Sequence, residues 1–331
     1  MTMTIRESDE ERKNAWNNFV ADNDGFFLQS WEWGELQSGI GRQVSRLRRS
    51  DFAAQLISYK LPFEKRYLYV PRGPVISSQK PLPSLKSFLA EFQNDVSKQN
   101  IFLRIEPVLE DTAELAQDLK TLGFKRAASS QPETTIILDL KKSETDLEQG
   151  MEHDTRYAIR AARKRKIKII NSSEPREKKR WFDKFWPLFE ETNKRHHLKA
   201  YPKRYYWKTL ALNSSCSAEI FAADLNNLII SSAIIVYFGK TAVYLYSASK
   251  AGYGRYNAPT LLLWEAVKVA KSRGYQTFDL WGVSHENPRW AGITAFKHSF
   301  GGREIRYTGT WDYLFDKKWY SLYNLTKKII S

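Results

Sequence analysis

The feature that most narrows the fold is a near-repeat. Tyr-Leu-Tyr occurs at 67–69 and again at 244–246. Each copy sits in an apolar run, and a glycine-containing bend follows it: Pro71-Arg72-Gly73-Pro74 in the first case, Lys250-Ala251-Gly252-Tyr253-Gly254 in the second. A segment with helical spacing comes next, then another apolar run. Tyr67 to Phe102 is 35 positions, and Tyr244 to Phe278 is 34. Strand, bend, helix and strand at nearly equal spacing predict two copies of one α/β unit. The alternative is two unrelated strand–helix–strand pieces, which any α/β protein can contain.

Local signals fill in the frame. Asp9–Asn23 reads as a helix with Ser8 as N-cap and Glu11 in the capping-box position; Ser143 and Asp146 repeat that signature. A short helix follows Gln29. Val44–Arg49 and Ala53–Tyr59 read as strands joined at Ser50-Asp51, and Tyr67–Val70, Ile101–Ile105 and Ile136–Leu140 as further strands. Leu85–Lys98 and Ala113–Leu122 have helical spacing, the second closed by Gly123. In the later half, Ala242–Ser247 and Thr277–Trp281 are strands flanking a helix over Pro259–Arg273. A domain boundary is expected near Lys141.

Charge narrows the partners. Lys and Arg number 52 against 37 Asp and Glu, a formal net charge of +15, which argues for an anionic partner such as nucleic acid, a phosphorylated substrate or an acidic membrane. Arg156, Arg160, Arg163 and Lys164 fall on one helical face, a row suited to a phosphate backbone or simply to solvent. Lys194, Arg195, His196, His197, Lys199, Lys203 and Arg204 interleave with Tyr201, Tyr205, Tyr206 and Trp207, a mixture that suits phosphate plus stacking. The aromatic and lysine-rich tail Trp311–Ile330 is either an interfacial segment or a terminal helix docked on the first domain. Met1–Lys13 has no apolar stretch of a secretory signal, and Leu228–Phe238 is too short to span a bilayer. The expected location is the cytosol, with peripheral contact at the inner membrane face and no protein partner.

Several chemistries find no support. There is no phosphate-binding Walker loop, nucleophile elbow or zinc-protease helix. Cys216 is the only cysteine, so an intramolecular disulfide and a cysteine-cluster metal site are excluded. Of the five histidines only His196 and His197 are close in sequence, so no metal centre is expected. The loop Lys250–Gly254 only roughly resembles the Q/R-x-x-G-x-G/A pyrophosphate cradle of acetyltransferases.

One ordered set of segments resembles the Fem family (FemA/FemB/FemX/MurM-like). It comprises Gln29-Ser30-Trp31-Glu32-Trp33-Gly34, Arg72-Gly73-Pro74, Arg104-Ile105-Glu106-Pro107, Leu138-Asp139-Leu140, Arg255-Tyr256-Asn257-Ala258-Pro259, Phe278-Asp279-Leu280-Trp281-Gly282 and Phe296-Lys297-His298. The resemblance implies two tandem GNAT-like domains without a coiled-coil arm, with a C-terminal tail that returns to the first: 1–141 plus 310–331, then 142–309. It implies transfer of an amino acid from aminoacyl-tRNA to the stem-peptide amine of a peptidoglycan precursor, lipid II or a UDP-linked muropeptide, with no cofactor.

Phe296-Lys297 resembles the family's catalytic pair, in which the lysine stabilises charge developing on the ester. Trp33, Arg72, Glu106, Tyr205 and Tyr256 resemble positions lining the precursor site, Glu106 where an acid has been suspected as general base. The row Arg156, Arg160, Arg163 and Lys164 would meet tRNA. Two positions depart from the family's diphosphate grip: Glu35 stands for a lysine, and Tyr201 precedes Pro202 where relatives have arginine. Lys199, Lys203 and Arg204 are the nearest replacement cations. Two alternatives stand beside this reading: an acyl-CoA-dependent acyltransferase, and a non-catalytic RNA- or membrane-binding protein.

Overall fold

A computed structural model describes residues 8–77, 81–92, 99–196 and 200–330, with side chains up to 325. The chain divides into two units, Met1–Glu133 with Arg306–Ser331, and Thr134–Ile305.

The first stretch carries α1 (Asp9–Asp22), α2 (Trp31–Gly39), β1 (Gln43–Arg48), β2 (Phe52–Lys60), β3 (Arg66–Val70), β4 (Val75–Ile76), α3 (Pro81–Ala90), β5 (Asn100–Ile105), α4 (Ala113–Thr121) and β6 (Phe124–Arg126). Ser8 and Glu11 close the expected capping box on α1. Helix α3 starts earlier than the spacing predicts and ends at Ala90; the remainder of the expected helix, 93–98, lies outside the described residues.

The second unit holds β7 (Thr134–Asp139), α5 (Glu144–Gln149), α6 (His153–Lys164), β8 (Lys168–Ser172), α7 (Pro175–Arg195), α8 (Lys203–Leu210), β9 (Ser217–Leu225), β10 (Leu228–Phe238), β11 (Thr241–Ser249), α9 (Ala258–Ser272), β12 (Thr277–Asp279), α10 (Ala291–His298) and β13 (Arg303–Arg306). The 21-residue α7 is an element that the local signals do not predict. It buries Trp181, Phe182, Phe185, Leu188 and Phe189, an i, i+4, i+7 stripe. The chain then ends in β14 (Trp311–Leu314) and α11 (Lys317–Ile330).

The repeat becomes a shared topology. The first sheet runs β1-β2-β3-β5-β14-β6 with β4 paired to β2; the second runs β13-β7-β12-β11-β10-β9-β8. In each, the two repeat strands pair in parallel, β3 with β5 and β11 with β12. Parallel neighbours need a crossover, here α3 and α9. An antiparallel strand then flanks each pair, β14 against β5 and β7 against β12.

This pairing moves the expected boundary. Thr134–Asp139 belongs to the second sheet through Phe278↔Leu138, so the division falls at 133/134 and not near Lys141. Each sheet has its own core, Phe52, Phe88, Leu103 and Trp311 in the first and Phe221, Trp264, Phe278 and Leu280 in the second. Tyr320 and Tyr323 of α11 pack on Phe102 at ring distances of 5.2 and 5.1 Å, so the tail helix docks on the first unit.

Candidate active site around Lys297

Helix α10 buries Thr294 and Lys297, three residues apart on one face. Both hold the loop that leaves β12. The Thr294 hydroxyl donates to Ser284 O at 3.0 Å and accepts from Ser284 N at 3.1 Å. Lys297 Nζ donates to Trp281 O at 3.2 Å and to Gly282 O at 2.7 Å. These carbonyls point at the ammonium because the chain makes a left-handed turn at Trp281, φ +61°. For a non-glycine residue this conformation costs on the order of 1–3 kcal/mol and survives only where its surroundings enforce it. Asp279 supplies that enforcement: its Oδ1 accepts from Trp281 N at 2.7 Å and from the Thr135 hydroxyl.

Lys297 is 7 % exposed. Burial disfavours its charge and lowers its pKa to about 8, against a smaller opposing pull from Asp279. An ammonium has three N–H donors; the two carbonyls use two of them. What remains is a fixed, desolvated cation with one donor to offer to a developing oxyanion. Phe296 has a different place. Its ring meets Phe300 edge-on at 5.4 Å and packs on the second core, so it supports the helix and is not a reacting group.

In the first unit, Arg72 and Glu106 converge on one loop, 130–132. Glu106 Oε1 accepts from Ser130 N (3.1 Å), Gln131 N (3.0 Å) and the Thr310 hydroxyl (2.6 Å), and Oε2 accepts from the Tyr69 hydroxyl. Burial and then the Glu106 charge push the Tyr69 hydroxyl well above its ordinary pKa, so it remains a donor. With four donors on its two oxygens, Glu106 anchors this loop. Its N–H also bonds Gly73 O at 2.9 Å. Arg72 is equally buried; it donates to Pro132 O at 2.6 Å and lies over the Tyr307 ring at 4.7 Å. Both residues organise the loop 130–132. Trp33, expected to line the precursor site, is 4 % exposed and meets Phe27 edge-on at 5.2 Å; its indole belongs to the interior.

Helix α8 brings Lys203, Arg204 and Tyr205 to its first turn. Tyr205 stacks on the exposed Tyr201 at 4.5 Å, and Lys203 approaches Asp183 at 3.7 Å. Lys199 lies outside the described residues. Tyr256 lies just before α9, its hydroxyl accepting from Arg255 at 3.1 Å and its ring stacked near Tyr253.

Two members of the basic row of α6 are engaged by neighbours. Arg156 turns back to the carbonyls of Glu148, Gln149 and Met151, and Arg163 pairs with Glu265 at 3.1 Å. Arg160, Arg163 and Lys164 are exposed. Two histidines that are distant in sequence gather in the fold. His285 and His298, thirteen positions apart, both reach Glu304, at 2.9 and 2.8 Å.

Comparison with known proteins agrees with this architecture. The chain matches the FemAB family over residues 12–226 and 208–328. It is 23 % identical, over 78 % of its length and 79 % of the relative's, to a UDP-N-acetylmuramoylpentapeptide-lysine N(6)-alanyltransferase from Weissella viridescens. It is 22 % identical, over 92 % and 91 %, to a lipid II:glycine glycyltransferase from Staphylococcus epidermidis. Among solved structures, FemX aligns with a TM-score of 0.80 at 20 % identity over 96 % of this chain and 98 % of that one. A tandem GNAT protein from the clavulanic acid biosynthesis pathway aligns with a TM-score of 0.52 at 12 % identity over 92 % and 95 %. With the family matched along nearly the whole chain and two tandem GNAT-like units in the fold, this protein belongs to the FemAB family.

Proposed function

We propose that this protein is an aminoacyltransferase that moves an amino acid from aminoacyl-tRNA to the stem-peptide amine of a peptidoglycan precursor. The observation that carries the reading is Lys297, a buried ammonium held by two backbone carbonyls in a chain of this family. In aminolysis the acceptor nitrogen forms a bond to the ester carbonyl carbon, and the carbonyl oxygen becomes an oxyanion beside the ammonium. The C–O bond to the tRNA ribose then breaks, and the proton lost by the amine ends on the departing hydroxyl. The ester is already activated, so the reaction draws on no metal or cofactor. Arg160 and Lys164 on α6 and Lys203 and Arg204 on α8 supply cationic surface for tRNA and precursor phosphates.

The test is direct. Purified protein, given labelled charged tRNA and either lipid II or UDP-linked muropeptide, transfers the label to the acceptor. Tight calorimetric binding of acetyl-CoA without transfer from tRNA would instead favour an acyl-CoA enzyme.

We further place the protein against the inner membrane face, with the lipid-linked precursor as acceptor. No helix among the described residues is long and apolar enough to cross a membrane. A surface patch suits an interface instead. Phe63 is 77 % exposed beside Trp319, with rings 5.7 Å apart. Leu322 and Leu325 are exposed on α11, the helix that also carries exposed Lys317 and Lys318, and Lys65 Nζ lies 5.3 Å from the Trp319 ring centre. Such a mixture of apolar and basic groups partitions to anionic lipid. Phe63→Ser is expected to weaken co-sedimentation with anionic vesicles about tenfold, the loss of most of one buried aromatic side chain. Unchanged sedimentation would remove the membrane assignment and leave the transfer reaction standing.

A further inference from the structure

The second unit gathers three metal-ligating side chains that the proposed transfer reaction does not use. His285 lies on the loop after β12, His298 is the last residue of α10, and Glu304 is on β13. Their ligand atoms all fall within 4.8 Å of one another. Both imidazole Nε2 atoms converge on one oxygen, Glu304 Oε2, at 2.9 and 2.8 Å, and the two rings are 5.5 Å apart. His298 Nε2 is shut off from solvent, yet its approach to the carboxylate lacks hydrogen-bond geometry. A buried imidazole nitrogen facing an anion without a hydrogen bond between them is poorly used by an ion pair alone and well used by a shared cation.

We propose that His285, His298 and Glu304 form a binding site for a Zn2+-type divalent cation. Two imidazoles and one carboxylate are a zinc-type ligand set, with bonds of about 2.0–2.2 Å. In a tetrahedral centre such bonds set ligand atoms about 3.4 Å apart, so Glu304 would draw back by roughly half an ångström. His285 is 61 % exposed, so the fourth position is open to water. Mg2+ and Ca2+, which prefer all-oxygen shells, are excluded by the two nitrogens.

The backbone already holds two of the three ligands. Ser284, next to His285, is bonded both ways to Thr294 of α10, and Asn287 N bonds the Ser284 hydroxyl at 3.1 Å. A cation here would tie the loop carrying Trp281 and Gly282 to the helix carrying Lys297. The bound metal is thus a clamp on the carbonyl pair that holds the ammonium, and it takes no part in bond making.

The experiment needs neither tRNA nor precursor, so its outcome is separate from that of the transfer assay. Full-length protein stripped with a chelator is titrated with Zn2+ alone, then with Mg2+. One equivalent of Zn2+ is expected to bind and to raise the thermal midpoint, with Mg2+ inert. Co2+ should give the visible absorption of a four-coordinate site. H298Q and E304Q should abolish all three signals. H285Q, at an exposed loop position, keeps the fold intact and should weaken binding at least tenfold. Failure of wild-type protein to bind Zn2+, or undiminished binding by H285Q and H298Q, would overturn the site.

Discussion

Replacing Lys297 by methionine is expected to lower the rate of aminoacyl transfer by about 10²–10³-fold, the loss that follows removal of one preorganised oxyanion donor. The side chain is nearly isosteric and apolar, so the helix face stays filled. Single-turnover transfer from charged tRNA measures the effect, and thermal unfolding checks that the variant is folded. A pH profile supplies a second readout. The acting form is the ammonium, whose pKa is lowered by burial to about 8 from an ordinary 10.5. The wild-type rate should therefore fall as pH rises through about 8, over two units earlier than for an exposed lysine. Lys297→Arg, whose guanidinium holds its proton far longer, should lose that descending limb.

The same shift has a stability consequence of opposite sense. A folded-state pKa below the unfolded one means the folded chain bears the cost of a buried charge below pH 8, and that cost disappears as pH rises towards 10.5. Full activity of Lys297→Met, or a rate that holds past pH 9, would end the assignment of Lys297.

The second large effect concerns the tail. Arg104 of β5 and Asp312 of β14 are 208 residues apart in sequence and directly opposed in register. They form two parallel hydrogen bonds, both 2.8 Å, with side chains 4 % and 0 % exposed. Burial alone would lower the Arg104 pKa; the Asp312 carboxylate more than offsets it, and the guanidinium stands above its ordinary value. Tyr320 of α11 donates to the same carboxylate at 2.8 Å, and Ser130 accepts from Arg104 at 3.1 Å.

Asp312→Ala leaves this guanidinium buried without its counter-charge and should cost about 3–5 kcal/mol, read as a drop in the urea midpoint of the first unit. The double substitution Arg104→Met with Asp312→Leu should recover most of that loss, because an apolar pair of similar volume avoids desolvating two charges. A single variant within 1 kcal/mol of wild type would show that the pair is not the staple that holds the tail strand in its sheet.

The parts of the fold that were legible are those governed by near neighbours. Ser8 with Glu11 and Ser143 with Asp146 announce helix starts because both halves of a capping box lie within one turn. Tyr67–Phe102 and Tyr244–Phe278 announce two parallel pairs because strand, helix and strand repeat within about 35 positions. The stripe Trp181, Phe185 and Leu188 carried the signal for α7; basic residues crowding the same segment concealed it.

The candidate site was legible in one residue and obscured in most others. Lys297 was marked by its neighbour in a motif. The Trp281 and Gly282 carbonyls that hold it were not, since a backbone carbonyl leaves no trace in residue identity. Arg72, Glu106 and Trp33 resemble lining residues in the sequence, and the fold buries all three. Arg156 and Arg163 sit on the face the spacing predicts, but Met151 and Glu265 meet them there.

What residue order alone determined is the local and the periodic: helix starts, the repeated α/β unit, the excess of cations and the motif that marks Lys297. Tertiary structure decided which polar groups meet. β7 joined the second sheet, β14 returned to the first, Asp312 found Arg104, and His285 and His298 found Glu304. The physical reason is range. Capping and amphipathic spacing act over one or two turns, whereas desolvating a charge is tolerable only where folding delivers a counter-charge from far along the chain.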